Sequence, residues 1–214
     1  MIVAIDGPVG SGKSAVGRRV AEALGLTFVD SGLMYRVVGM LAVERGLDLE
    51  DADDLTRLAG ATTVHIDGPC VRVDDRDITG QVYAPDLSAA ASQVAQVLGV
   101  RLAVVAQLRA MGKGGVVMAG RDIGTVVFPD ADHKFFLTAR SDVRARRRAR
   151  QIEQRGERAD PEALRVEVEE RDRRDAGRAV APMRPADDAV IVDTDDLDLP
   201  EVVSEVLHRV RCAA

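Results

Sequence analysis

The sequence predicts an α/β fold in three layers, with a central parallel sheet of about five strands flanked by helices, and three observations carry that expectation. Ile2-Val3-Ala4-Ile5-Asp6 is a short apolar run rich in β-branched residues, which reads as a buried strand. It runs directly into Gly7-Pro8-Val9-Gly10-Ser11-Gly12-Lys13-Ser14, a complete phosphate-loop pattern in its required strand-to-helix context. Further short apolar runs alternate along the chain with stretches of helical period, the signature of parallel strands joined by crossover helices.

The loop comes first. Glycines at 7, 10 and 12 let the backbone turn tightly enough to aim successive N–H groups at a phosphate, and the helix opening near Lys13 adds its positive N-terminal end. Lys13 can reach the β- and γ-phosphates and Ser14 can ligate Mg²⁺, so Gly7, Pro8, Val9, Gly10, Ser11, Gly12, Lys13, Ser14 and the following Ala15 are the expected ATP- or GTP-binding residues. Val16, Val20 and Leu24 recur at helical spacing with Ala21 beside them, and Gly25 ends that helix. A strand is expected from Leu26 to Val29, then a helix from the Asp30-Ser31-Gly32 turn to about Arg45, and a short helix over 51–60. Val64-His65-Ile66, the turn Asp67-Gly68-Pro69 and Cys70-Val71-Arg72-Val73 alternate with period two and predict a hairpin inside an inserted subdomain spanning about 62–98. Helical periodicity returns at Leu87, Ala90, Ala91, Val94 and Leu98, and again from Arg101 to Met111. Gly115 to Ala119, His133 to Leu137 and Ala189 to Asp193 are the remaining expected strands. The core is thus expected to comprise about 1–61, 99–140 and 179–214.

Between the last two strands the chain is densely charged. Arg144, Arg147, Arg148, Gln151 and Arg155 fall along one stripe of an expected helix. One reading is a solvated helix paired with glutamates at 162, 167, 169 and 170; the other is a helical lid over about 141–178 whose arginines close over phosphates. The whole chain carries a net charge of −6 with lysine only at 13, 113 and 134, so its other cations are arginines, which suit fixed phosphate clamps; genome composition alone is an equal explanation of the bias. That acidic total and an aromatic content of 3% argue against an RNA-binding role for the arginine region. Cys70 and Cys212 lie far apart with no metal-ligand spacing, and no apolar stretch approaches a membrane span, so a cytoplasmic protein is expected. His65, His133 and His208 share no spacing with carboxylates, and no Ser-His-Asp set is visible.

Four further segments carry a specific resemblance: Asp30-Ser31-Gly32-Leu33-Met34-Tyr35-Arg36, Ala89 to Ala95 (AASQV at its centre), Gly120-Arg121-Asp122-Ile123-Gly124-Thr125-Val126-Val127-Phe128-Pro129, and Glu170-Arg171-Asp172-Arg173-Arg174-Asp175-Ala176-Gly177-Arg178. In this order, and together with the phosphate loop, they resemble the bacterial cytidylate kinases over essentially the whole chain. The resemblance implies a P-loop kinase fold in which the hairpin insert binds a nucleoside monophosphate. It implies transfer of the γ-phosphoryl group of ATP, with Mg²⁺, to CMP or dCMP by a monomer that needs neither nucleic acid nor a membrane. Residue by residue, it implies that Arg36, Arg121 and Arg178 clamp the acceptor phosphate, with Lys13, Arg121 and Arg178 catalytic. Ser92, Arg101 and Asp122 would read the cytosine, Arg171 and Asp175 would hold the sugar, and Ser31 would line the same pocket. Ala15 departs from the many relatives that carry Thr there, which removes a hydroxyl donor near the α-phosphate. The residues by themselves leave open a P-loop kinase for another monophosphate, for shikimate or for gluconate, and a nucleotide-dependent switch. An Asp after a strand, such as Asp122, can also simply cap the next turn.

Overall fold

The computed structural model describes residues 1–84, 87–154, 156 and 158–212. In chain order its elements are β1 (Ile2–Asp6), α1 (Lys13–Leu24), β2 (Thr27–Asp30), α2 (Gly32–Glu44), α3 (Ala52–Ala61), β3 (Val64–Asp67), β4 (Cys70–Val73), β5 (Arg76–Asp77), α4 (Thr79–Val82), α5 (Leu87–Val94) and α6 (Leu98–Met111). They continue with β6 (Val116–Ala119), a π-helical turn Ile123–Val127, β7 (His133–Thr138), α7 (Ser141–Glu153), α8 (Pro161–Ala176), β8 (Val190–Asp193) and α9 (Leu199–Cys212). Five strands form one sheet in the order β2-β6-β1-β7-β8, as the alternating pattern predicts. The chain divides into two compact units, residues 1–26 with 117–214, and residues 27–116.

In the first unit β1 pairs in parallel with β7 and β7 with β8, in a register that sets Ile5 opposite Phe135 and Leu137 opposite Val192. Strands covered on both faces need apolar side chains at every position rather than at alternate ones, which is why β1 and β6 read as continuous hydrophobic runs. α1 buries Val16, Val20 and Ala21 and packs with α9, whose Val202, Val206 and Val210 are buried in turn. Gly25 ends α1 in the left-handed conformation at φ 65°, and the Leu26 amide bonds Ala21 O at 2.9 Å. Leu26 therefore completes the helix cap, and β2 starts one residue later than its apolar character suggests. α7 and α8 pack together over a small apolar cluster of Ala145, Ala149 and Leu164, with Ile152 and Ala159 against it. Among the described residues no single helix is long and apolar enough to cross a membrane.

In the second unit α2 packs on α5 and α3 on α6. Gly39 permits the first approach, since a Cβ there would lie 3.0 Å from Ala91 N. Asp51 caps α3 by accepting from the amides of Asp53 and Asp54 at 3.0 and 2.9 Å. The expected hairpin is present, turning at Gly68 (φ 56°), and a third strand, β5, pairs with β4 to make an antiparallel sheet of three. Two residues are too few to show a period, so β5 leaves no trace in the hydrophobic pattern. The expected helix through Leu98 is corrected: the chain breaks after Val94, and Leu98 opens α6 with 51% of its surface exposed.

Candidate active site

The loop between β1 and α1 has the backbone its glycines imply. Gly7, Gly10 and Gly12 take positive φ of 144, 76 and 91°, and a Cβ at Gly7 would lie 2.1 Å from Leu137 O, so only glycine lets the loop cross the end of β7. Lys13 is buried and folded back over the loop, donating to Pro8 O at 2.5 Å and to Ser11 Oγ at 3.4 Å. Beside the loop opens a cleft of about 850 Å³. Its walls include Gly10 and Gly12 of the loop, Ala15 in the first turn of α1, the arginines Arg146 and Arg150 of α7, and the acidic stretch from Asp195 to Asp198 after β8. A glycine loop at a helix N-terminus, the arginines of α7 and the cleft between them make a site of the kind that takes a phosphorylated ligand.

β1 ends in a carboxylate that the apolar reading of its sequence passes over. Asp6 is buried and accepts from the amides of Ile123 and Gly124, both at 2.8 Å, while Gly120 N bonds Ile5 O at 3.0 Å. The end of β1 thereby holds the whole Gly120 to Gly124 segment that presents Arg121 and Asp122. That segment turns as a π-helix, with Phe128 N bonding Ile123 O at 2.7 Å and Val127 N bonding Asp122 O at 3.2 Å. Asp122 precedes this turn without capping it through its side chain, which sets aside the simple capping role. Burial pushes the Asp6 carboxyl up from 3.8 to about 6; the Gly124 and Ile123 amides and Lys13 oppose that rise, and Asp122 adds to it.

The direction of this shift has a measurable consequence. Below about pH 6 folded Asp6 binds a proton that the unfolded chain releases until about pH 3.8. Stability therefore rises as pH falls through this window, by up to about 3 kcal/mol from Asp6 alone. Activity should fall over the same window, because a neutral carboxyl holds the two amides less firmly. Chemical denaturation at pH 7 and pH 5 should show about 1 kcal/mol of this gain in the wild type and none in Asp6→Asn; equal pH slopes in the two proteins would remove Asp6 as the cause.

The first unit also brings together Arg121, Asp175 and Arg178. Asp175 lies in the last turn of α8 with 2% of its side chain exposed, and it pairs with Arg121 Nε at 2.8 Å through Oδ2 and with Arg178 Nη2 through Oδ1. Burial pushes its carboxyl up, yet Arg121 and Arg178, with Arg171 nearby, outweigh that effect and hold it below the usual carboxylate range. Asp175 thus orients two of the expected phosphate-clamping arginines from one carboxylate. Arg173 and Arg174 are exposed, as a solvated face requires.

In the second unit, Ser31 precedes α2 and is buried without capping it, a task in which Asp30 Oδ1 instead accepts from Gly32 N at 3.0 Å. Arg36 donates to Val82 O at 3.3 Å, Ala84 O at 3.1 Å and Ser88 Oγ at 2.7 Å. Arg101 is buried on α6, donates to Ala95 O at 3.2 Å and lies 5.5 Å over the Tyr35 ring, a cation–π contact that the sequence pattern had not singled out. Ser92 on α5 is buried and its Oγ has no hydrogen-bond partner among the described residues. A buried hydroxyl left unmatched is an expense that a polar ligand would relieve.

The arginine stripe of α7 divides. Arg144 is buried and binds protein groups, and Arg147 donates to Thr194 Oγ1 at 2.9 Å and to Thr194 O, so both fasten α7 to its surroundings. Arg148 lines the cleft and approaches Glu167 at 3.8 Å, while Arg165 pairs with Glu162 and Glu169. Arg155 lies outside the described residues. Among the described residues no group of three or more His, Cys, Asp or Glu side chains could hold a metal ion.

The profile of the family described as "Cytidylate kinase" matches residues 3–212. The cytidylate kinase of Pelotomaculum thermopropionicum is 44% identical over 97% of this chain and 95% of its own length. The bifunctional pantoate ligase/cytidylate kinase of Synechococcus sp. (strain JA-3-3Ab) is also 44% identical, over 98% of this chain, and the chain spans 40% of that relative's length. Among solved structures, a shikimate kinase from Bacteroides thetaiotaomicron matches with a TM-score of 0.50 at 13% identity, covering 99% of this chain and 96% of that one, a likeness of fold alone.

Proposed function

The chain belongs to the cytidylate kinase family, and from that premise we propose that it transfers the γ-phosphoryl group of ATP to CMP or dCMP. The observation that carries the donor half is the phosphate loop with its three left-handed glycines and buried Lys13. Gly10 to Ser14 offer the amides, Lys13 turns from Pro8 O and Ser11 Oγ to meet the transferring group, and the cleft beside the loop takes the rest of the nucleotide. Mg²⁺ fits this donor set: a hard cation carried mainly by phosphates would need little more from the protein than the Ser14 hydroxyl, and it would neutralise charge on those phosphates.

On the acceptor side the reading assigns Arg36, Arg121 and Arg178 to the phosphate, Arg171 and Asp175 to the sugar, and Ser31, Ser92, Arg101 and Asp122 to the base and its pocket. The acceptor already presents an anionic oxygen, so no general base is needed and the protein's contribution is positioning and charge compensation. Residues 62–98 are read as the monophosphate-binding insert and 141–178 as the lid that excludes water. A monomer acting in the cytoplasm completes the proposal, and the net charge of −6 supports its acting without nucleic acid or an anionic membrane surface.

Base choice tests it. Cytosine offers an exocyclic amine and an unprotonated ring nitrogen where uracil offers a carbonyl and an N–H. Ionised Asp122 only accepts, while Arg101 and Ser92 donate, so uracil in the same pose leaves buried polar groups repelling or unmatched. In a coupled assay over a panel of monophosphates, CMP should exceed UMP in kcat/KM by at least roughly a hundredfold. Asp122→Asn should narrow that gap mainly by losing CMP activity. Equal use of UMP or AMP by the wild type overturns the cytidylate assignment even if kinase activity stands.

A further inference from the structure

The tip of the phosphate loop is gripped from two sides by α7 and α8. Val9 donates its amide to Asp172 Oδ1 at 3.3 Å, and its carbonyl accepts from Arg144 Nη1 at 2.9 Å. The two side chains also pair with each other, Nη1 to Oδ2 at 2.5 Å, with 7% and 18% of their surfaces exposed, and Arg144 Nε is anchored on Ala139 O at 2.8 Å. The approach is close enough that a Cβ on Gly10 would lie 3.1 Å from Arg144 Cβ.

A peptide unit is planar and trans, so its C=O and N–H point in opposite directions. The Val9 amide shares a plane with the Pro8 carbonyl; held on Asp172, it turns that carbonyl the other way, where it accepts from Lys13 Nζ at 2.5 Å. The Val9 carbonyl shares a plane with the Gly10 amide; held on Arg144, it fixes that amide in the antiparallel direction. Gly10, at φ 76°, has no side chain to enforce such an orientation, so the restraint must come from outside the loop. Arg144 spends its guanidinium on Ala139 O, Val9 O and Asp172, and Asp172 is a carboxylate that would repel a phosphate.

We infer that Arg144 and Asp172 are positioning residues for the donor loop, a two-sided clamp on Val9 that sets the Pro8–Val9 and Val9–Gly10 peptide planes and, through them, the Lys13 ammonium and the Gly10 amide. Neither binds phosphate directly. The clamp is built on the two helices of the region read as the lid, so the geometry of the loop follows the root of that region. This rests on the reading that the loop binds ATP, and not on the identity of the acceptor.

The test is ATP affinity measured by calorimetry with Mg²⁺ and no acceptor, in Arg144→Lys, Asp172→Ala, Asp172→Asn and the Arg144→Lys/Asp172→Ala double variant, alongside kcat and KM for each substrate. Arg144→Lys and Asp172→Ala should each weaken ATP binding about tenfold, because each frees one of the two peptide planes or unsettles the partner that holds it. Asp172→Asn keeps an oxygen for the Val9 amide but turns an NH2 toward Arg144 Nη1, so it should recover only part of the binding, to within about fivefold of wild type. The KM for CMP should stay within about twofold, and the double variant should be no more than about twice as impaired as the worse single one, since both residues act on the same peptides. Losses that multiply to about a hundredfold would make Arg144 an independent phosphate ligand and overturn the clamp, as would unchanged ATP affinity in Asp172→Ala. If Arg144→Lys does not fold, the contrast between Asp172→Ala and Asp172→Asn decides the question alone. A wild type that binds ATP yet leaves CMP untouched would sink the acceptor assignment and leave this test intact.

Discussion

Lys13→Ala should lower kcat with ATP and CMP by at least about 10³ while leaving the fold intact. The loop does not need the lysine to hold its shape, because its turns are set by glycine backbone and by the bonds to Val9. Nζ donates to Pro8 O and to Ser11 Oγ, two neutral acceptors that a phosphate oxygen can replace. The side chain is almost fully buried, so water replaces its charge poorly once it is gone. Melting temperature and kcat measured on the same preparation decide the matter, and a variant that melts like the wild type and turns over near the wild-type rate would refute the phosphate-loop mechanism.

Arg121→Met and Arg178→Met should each lower kcat by about 10³ or more, by analogy with arginines that stabilise charge on a transferring phosphoryl group. Asp175 makes a fold effect separable from a catalytic one. Losing either arginine leaves the carboxylate one direct partner and Arg171 nearby, so single variants should lose only about 1–3 kcal/mol of stability. Asp175→Ala removes the carboxylate that both guanidinium groups share and should lose their alignment as well as stability. If both methionine variants keep full activity and only melt earlier, the two arginines serve to neutralise Asp175, and the phosphate assignment is wrong.

The parallel core and the donor loop were legible in the sequence for a local reason. A strand covered on both faces shows as an unbroken apolar run, and a phosphate loop needs its glycines at fixed offsets because the backbone cannot otherwise reach positive φ. The helix after the loop, its glycine cap and the hairpin with Gly68 at its turn follow from the same kind of short-range rule. Where boundaries slipped, a capping bond had claimed the residue, as at Leu26. The acceptor residues were legible only through motif resemblance, since an isolated Arg36 or Ser92 carries no signal of its own partners.

What the tertiary structure alone decided concerns polar groups whose partners lie far along the chain. Asp6 reads as the end of an apolar strand until its carboxylate is seen to hold Ile123 and Gly124, 117 and 118 residues away. Arg144 reads as one more cation on a charged stripe, yet it binds Val9, 135 residues back, and Asp172 meets the same residue from 163 residues away. Burial separates these from their neighbours: a solvated arginine such as Arg173 is free to point anywhere, whereas a buried one must satisfy its donors with whatever the fold brings to it. The amino-acid order determined which segments would be strands, helices and phosphate loop, because those are set by contacts within a few residues. Which of its many arginines fasten the loop and which remain to meet a nucleotide was decided only by packing, because hydrogen bonds between distant segments have no periodicity to read.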